Sequence, residues 1–229
     1  MAFSGLFSLP STFQLHILNI GQMKNKYKYI LFDWDGCLAK TLDIWFFSAK
    51  DLLIKNNIKF VDDQITKGFG DWEFAKKLGV LDNDAFNKEL VLIVNEKLKS
   101  VELYSGATEV LKTLKENNKK LALVTTGIKP CVLPSLNKYD LFNLFDFVLT
   151  AEDVTRHKPD PEVINKAINL LGANKDETLI IGDGPKDIMA GKAAGITTVS
   201  FYPKDNERFY SENDIKSYAA DFVINDLLD

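Results

Sequence analysis

Tyr29-Ile30-Leu31-Phe32 is an apolar run that stops abruptly at Asp33-Trp34-Asp35-Gly36. An uninterrupted apolar run closed by a turn residue suits a strand buried on both faces of a parallel sheet, not the alternating pattern of a half-exposed one. In an extended strand, residues two apart point to the same side. Asp33 and Asp35 can therefore both face the space beyond the strand's carboxyl end, where open α/β sheets take their ligands. Adjacent carboxylates repel, and a core holds nothing to stabilise the pair. A bound cation or a shared proton resolves the conflict, and a small hard cation such as Mg2+ suits it best. Taken alone, the same residues are also an ordinary polar turn leaving a strand.

From Thr41 to Val101 the pattern is helical. Leu42, Trp45, Phe46, Ala49, Leu52 and Leu53 recur at spacings of three and four and form one apolar face, with Asp43, Phe47 and Lys50 off it. Further helices are expected over Asp71 to Leu78 and Asp84 to Lys99, with a turn-rich loop at Lys67-Gly68-Phe69-Gly70-Asp71. This block reads as a small helical domain inserted after the first strand, its aromatics read as core. After Gly106 the rhythm changes to alternating helix and strand. Strands are expected at Leu121 to Thr125, Phe147 to Leu149, Thr178 to Gly182, Thr197 to Phe201 and Phe222 to Ile224. The intervening helices are expected at Ala107 to Asn118, Pro130 to Lys138, Pro161 to Leu171 and Asp187 to Ala194. Such alternation implies an α/β fold, a parallel sheet with right-handed crossovers and helices on both faces. The carboxyl ends of its strands then gather on one edge.

Those ends carry chemistry. Thr125 is followed by Thr126-Gly127, a hydroxyl and then backbone N–H groups able to approach an anion closely. Lys158 stands in His157-Lys158-Pro159-Asp160-Pro161, just before a helix that opens on proline. Gly182-Asp183-Gly184-Pro185-Lys186-Asp187 ends another buried strand in an acid, a turn and a second acid. Each is also a common way for a strand to end. Jointly they supply carboxylates for a metal and a hydroxyl and an ammonium for an anion, the inventory that phosphoryl transfer requires.

In their order along the chain, Asp33-Trp34-Asp35-Gly36, Thr125, Lys158-Pro159-Asp160-Pro161 and Gly182-Asp183 to Asp187 resemble the motifs of the haloacid dehalogenase-like (HAD) hydrolases. The resemblance runs from about Tyr27 to Asp229 and is to the phosphoglycolate-phosphatase-like group with a helical cap. It implies a Rossmann-like core of residues 23–40 and 104–229 with an all-helical cap of residues 41–103. It also implies Asp33 as nucleophile, Asp35 as general acid and base, and Thr125, Thr126, Gly127 and Lys158 as phosphate ligands. Asp33, Asp183 and the backbone carbonyl of Asp35 would surround Mg2+, with Asp187 as a supporting acid. Phe47, Lys50 and Phe69, with the loop Gly68 to Asp71, are candidate cap contacts to substrate.

The implied activity is a Mg2+-dependent phosphatase acting on a small phosphorylated metabolite through an aspartyl-phosphate. A sugar-phosphate mutase and a non-catalytic binding member are the alternatives. Mutases of the family usually carry a histidine soon after the Asp-Gly pair and basic cap residues for a second phosphate, yet no His or Arg lies between Cys37 and Leu103. The chain departs from the usual family pattern at Cys37, where a threonine is common, and at Ala39-Lys40-Thr41, entering the cap.

Composition excludes other classes. A net charge of -4 lacks the basic excess of a nucleic-acid binder. Cys37 and Cys131 form no CxxC pair and read as small free hydrophobes in a reducing cytoplasm. Residues 1–22 contain no Lys or Arg, show neither a helical period nor a secretory pattern, and are expected to be a mobile extension. No apolar window is long enough to span a bilayer. The expected protein is cytoplasmic and monomeric or homodimeric.

Overall fold

The computed structural model describes residues 26–229. The expectation placed on residues 1–22 lies outside the described residues. Six parallel strands form one sheet: β1 (Tyr29–Phe32), β2 (Lys120–Val124), β3 (Phe147–Leu149), β4 (Thr178–Gly182), β5 (Thr197–Phe201) and β6 (Phe222–Ile224), in the order β3-β2-β1-β4-β5-β6. The chain builds outward from β1 to β3 and then returns to the other side of β1 for β4. The carboxyl end of β1 is therefore the switch point at which doubly wound sheets open a ligand crevice. The β1 register pairs Phe32 with Leu123 on one side and with Ile181 on the other, so β1 is buried among neighbours throughout.

Both faces of the sheet are covered, which is why its strands read as continuous apolar runs. Leu31, Val124 and Ile180 pack on one side against Val163, Ile164, Ala167 and Ile168 of α7 (Glu162–Leu171). Ile30, Phe32, Leu121 and Leu123 join the opposite core with Leu111 of α5 (Ala107–Glu116) and Val132 and Leu136 of α6 (Lys129–Lys138). Helix α8 (Pro185–Ala194) packs against β4 and β5. Its start at Pro185 is two residues ahead of the expected Asp187, because proline is well placed in a first helical turn.

Between β1 and β2 lies a helical insertion of α1 (Leu42–Lys55), α2 (Asp62–Lys67), α3 (Phe74–Lys77) and α4 (Asn83–Leu98). The two strands of chain joining it to the sheet run side by side. Lys40 N–H donates to Glu102 O at 2.9 Å and Tyr104 N–H to Leu38 O at 3.0 Å. The expected helix over Asp71 to Leu78 is shorter, because the Asp71 carboxylate accepts from Glu73 N–H at 2.9 Å and folds residues 71–73 into a turn. Helix α2 and the late helix α9 (Glu212–Tyr218) were not expected; each buries one apolar residue, Ile65 and Ile215, and so shows no apolar period.

Candidate active site

The peptide N–H of Asp33 still follows the ladder, donating to Ile181 O at 2.9 Å, but its side chain projects beyond the sheet edge into a buried cluster. The ammonium of Lys158 donates to Asp33 Oδ1 at 2.8 Å, to Asp187 Oδ1 at 2.5 Å and to Val124 O at 3.0 Å. Asp183, just past β4, completes the group: carboxylate oxygens of Asp33, Asp183 and Asp187 all lie within 4.8 Å of one another. Gly36 is what lets Asp183 come so close. Its φ of +73° suits glycine, and a Cβ there would stand 2.3 Å from Asp183 Oδ2.

Charge does not balance within this cluster. Burial first, and then the like charge of Asp187, push the Asp33 carboxyl up to about 7, against the pull of Lys158. Burial, Asp187 and Asp33 raise Asp183 well above the usual carboxylate range. Burial opposes the Lys158 ammonium, yet Asp187 and Asp33 outweigh it and hold the group protonated. Asp183 Oδ2 is buried and has no hydrogen-bond partner among the described residues. An orphaned buried carboxylate oxygen beside two further carboxylates, facing a single ammonium, fits a hard divalent cation with oxygen ligands.

Asp35 sits outside that triad. Its Oδ1 accepts from Trp45 Nε1–H at 2.9 Å. Burial raises its carboxyl, and the nearby hydroxyls of Thr41 and Thr125, the Trp45 donor and the charge of Lys158 restrain the rise. The Thr125 hydroxyl also accepts from Gly127 N–H at 2.9 Å, which sets the backbone of the Thr125–Gly127 turn against Asp35. Thr126 lies beside the insertion, its carbonyl accepting from Trp72 Nε1–H at 3.4 Å.

Two adjoining cavities open here, of about 200 Å³ and 80 Å³. Lys158, Asp33, Asp183 and Asp187 line the larger, and Phe69 lines both. Phe47 and Lys50 line neither. Phe47 is exposed and packs its ring edge-on to Phe46, and Lys50 pairs with Asp62 at 2.8 Å.

Residues not singled out from the sequence also converge on the site. Trp45 and Trp72 are in edge contact with centroids 5.9 Å apart. Asn206, buried in the connection after β5, donates from Nδ2 to Gly36 O at 3.0 Å and accepts from the Tyr104 hydroxyl at 2.5 Å, which fastens the Asp-Gly turn from below. The polar segment around Asn206 carries no motif that would have revealed it.

The family model of the haloacid dehalogenase-like hydrolases matches residues 30–201. Pyrophosphatase PpaX of Halalkalibacterium halodurans is 32% identical over 216 residues, covering 87% of this chain and 94% of the relative. Pyrophosphatase PpaX of Bacillus mycoides is 29% identical over 216 residues, covering 89% and 95%. Among solved structures, a hydrolase from Pseudomonas syringae superposes with a TM-score of 0.78 at 25% identity, covering 88% of this chain and 95% of that one. The chain belongs to the haloacid dehalogenase-like hydrolase family and is an enzyme of that family.

Proposed function

We propose that the protein is a Mg2+-dependent phosphatase that hydrolyses a small organic phosphomonoester through an aspartyl-phosphate on Asp33, with residues 41–103 as a cap over the core. The observation that carries this reading is the under-neutralised cluster of Asp33, Asp183 and Asp187 around Lys158, with Asp183 Oδ2 unpartnered. Asp33, Asp183 and the backbone carbonyl of Asp35 are the proposed Mg2+ ligands, and Asp187 supports them by anchoring Lys158. When bound, Mg2+ offsets the negative charge shared by the phosphoryl group and the carboxylates.

An Asp33 oxygen attacks phosphorus and the bond from phosphorus to the leaving oxygen breaks. Asp35, whose carboxyl is raised by burial, gives its proton to that oxygen. It then takes a proton from the water that attacks the aspartyl-phosphate, releasing phosphate and restoring Asp33. Lys158, the Thr125 hydroxyl and the N–H groups of Thr126 and Gly127 hold the phosphoryl oxygens. The pyrophosphatase names of the relatives support hydrolysis at a phosphoryl group.

Asp33→Asn tests the assignment, since an amide is a poor nucleophile toward phosphorus. Phosphate release should fall by about a thousandfold or more, the scale on which loss of a covalent nucleophile is felt. It should also stop in EDTA and return with Mg2+. Turnover by the Asp33→Asn variant within about tenfold of wild type would overturn the reading.

A further inference from the structure

The smaller cavity defines what leaves. Both Asp35 oxygens are turned toward groups that line this cavity and not the larger one. Oδ1 accepts from Trp45 Nε1–H at 2.9 Å, and a Cβ on Gly127 would stand 3.1 Å from Oδ2. Asp35 lines both cavities, so the acid assigned to the leaving oxygen borders the smaller cavity as well as the larger one. Trp45, Trp72, Phe74 and Leu90 are among its walls.

Charge sharpens the point. Among the described residues, the charged groups lining this cavity are Asp35 and Asp71, with no Lys or Arg. Asp71 is paired with Lys77 at 2.6 Å and offers no cation of its own. A leaving group carrying a second phosphate or a carboxylate would meet two acids and aromatic rings there, with no side-chain cation to offset its charge. Cations stand at its margin and in the larger cavity, Lys77 and Lys186 both acting on Asp71. Lys186 and Lys67 line the larger cavity, Lys186 donating to Phe69 O and Lys67 pairing with Asp63.

We propose that the substrate's leaving group is uncharged and aromatic, seated against Trp45 and Trp72, so that the enzyme prefers phosphomonoesters of benzyl-type alcohols to inorganic pyrophosphate and to phosphates with a second anionic group. This rests on the phosphatase reading above and narrows it. It also separates this chain from the activity its relatives' names carry.

The test compares benzyl phosphate, glycerol 1-phosphate and inorganic pyrophosphate as substrates of the full chain with Mg2+. The first two release alkoxides of similar basicity, so a difference between them reports binding of the leaving group and not its chemistry. Expected kcat/KM for benzyl phosphate exceeds that for glycerol 1-phosphate by at least about tenfold, with pyrophosphate lower still. In Trp72→Ser the ratio of benzyl to glycerol kcat/KM falls toward one, chiefly through KM for benzyl phosphate. That ratio is insensitive to a misfolded fraction, which lowers both values alike. Equal or better turnover of pyrophosphate or glycerol 1-phosphate by the wild type would overturn the inference and leave the phosphatase reading standing. So would an unchanged ratio in the variant. No turnover of any of the three would remove both.

Discussion

Lys158 holds two buried carboxylates at once, and what its loss does follows from that. Replacing the ammonium leaves Asp33 and Asp187 without their shared donor in a site largely shielded from water. Breaking a buried ion pair by deleting one partner costs about 3–5 kcal/mol, because the charge left behind keeps its desolvation penalty. Lys158→Met, which keeps most of the side-chain volume, should lower stability to urea in EDTA by that amount. A loss under about 1 kcal/mol would mean that the carboxylates are not held by Lys158. Asp33, Asp35, Thr125, Lys158, Asp183 and Asp187 were all visible in the sequence, because each sits where an apolar run ends or a helix begins. Trp45 was not. Its spacing placed it on the apolar face of a helix, and its partner Asp35 is ten residues away, a separation that no helical or strand period marks.

Elements were legible where burial imposes a period and illegible where polar residues make them. All six strands fall within a residue of their expected bounds, since a sheet covered on both faces demands unbroken apolar runs. Helix α9 escaped that logic, although Ser211 and Asp214 form a capping box in which the Ser211 hydroxyl accepts from Asp214 N–H at 3.2 Å. Close packing between elements is hidden as well. Gly191 lies mid-helix in α8, where alanine would ordinarily gain about 1 kcal/mol in helix propensity. A Cβ there would stand 2.6 Å from Ile180 Cγ2 and 2.7 Å from Thr198 Cγ2, both on buried strands. Overpacking of this kind costs about 1–3 kcal/mol, so the clash should win. Gly191→Ala should lower the melting temperature, and a rise would show that α8 can lift off the sheet at little cost.

Across the whole molecule, the acidic cluster should make stability depend on pH in a direction opposite to most proteins. A carboxyl that titrates at about 7 when folded and at about 4 when unfolded binds more protons in the folded state between those limits. Stability then falls as pH rises through that window, and Asp183, raised by the same burial and repulsion, acts in the same direction. Mg2+ bound to ionised carboxylates stabilises the folded state only as far as it outcompetes those protons, so its effect grows with pH. The gap in melting temperature between Mg2+ and EDTA should therefore be small at about pH 5 and widen to a plateau above about pH 7. Taking the difference at each pH cancels the titration of every group remote from the metal. In Asp33→Asn the metal-free protein should lose less stability between those limits, because its largest repulsive partner for Asp183 after Asp187 is gone. A gap of equal size at both ends of the range would mean that protons and the cation do not compete for the cluster, and the assignment of Asp33 and Asp183 as its ligands would have to be withdrawn.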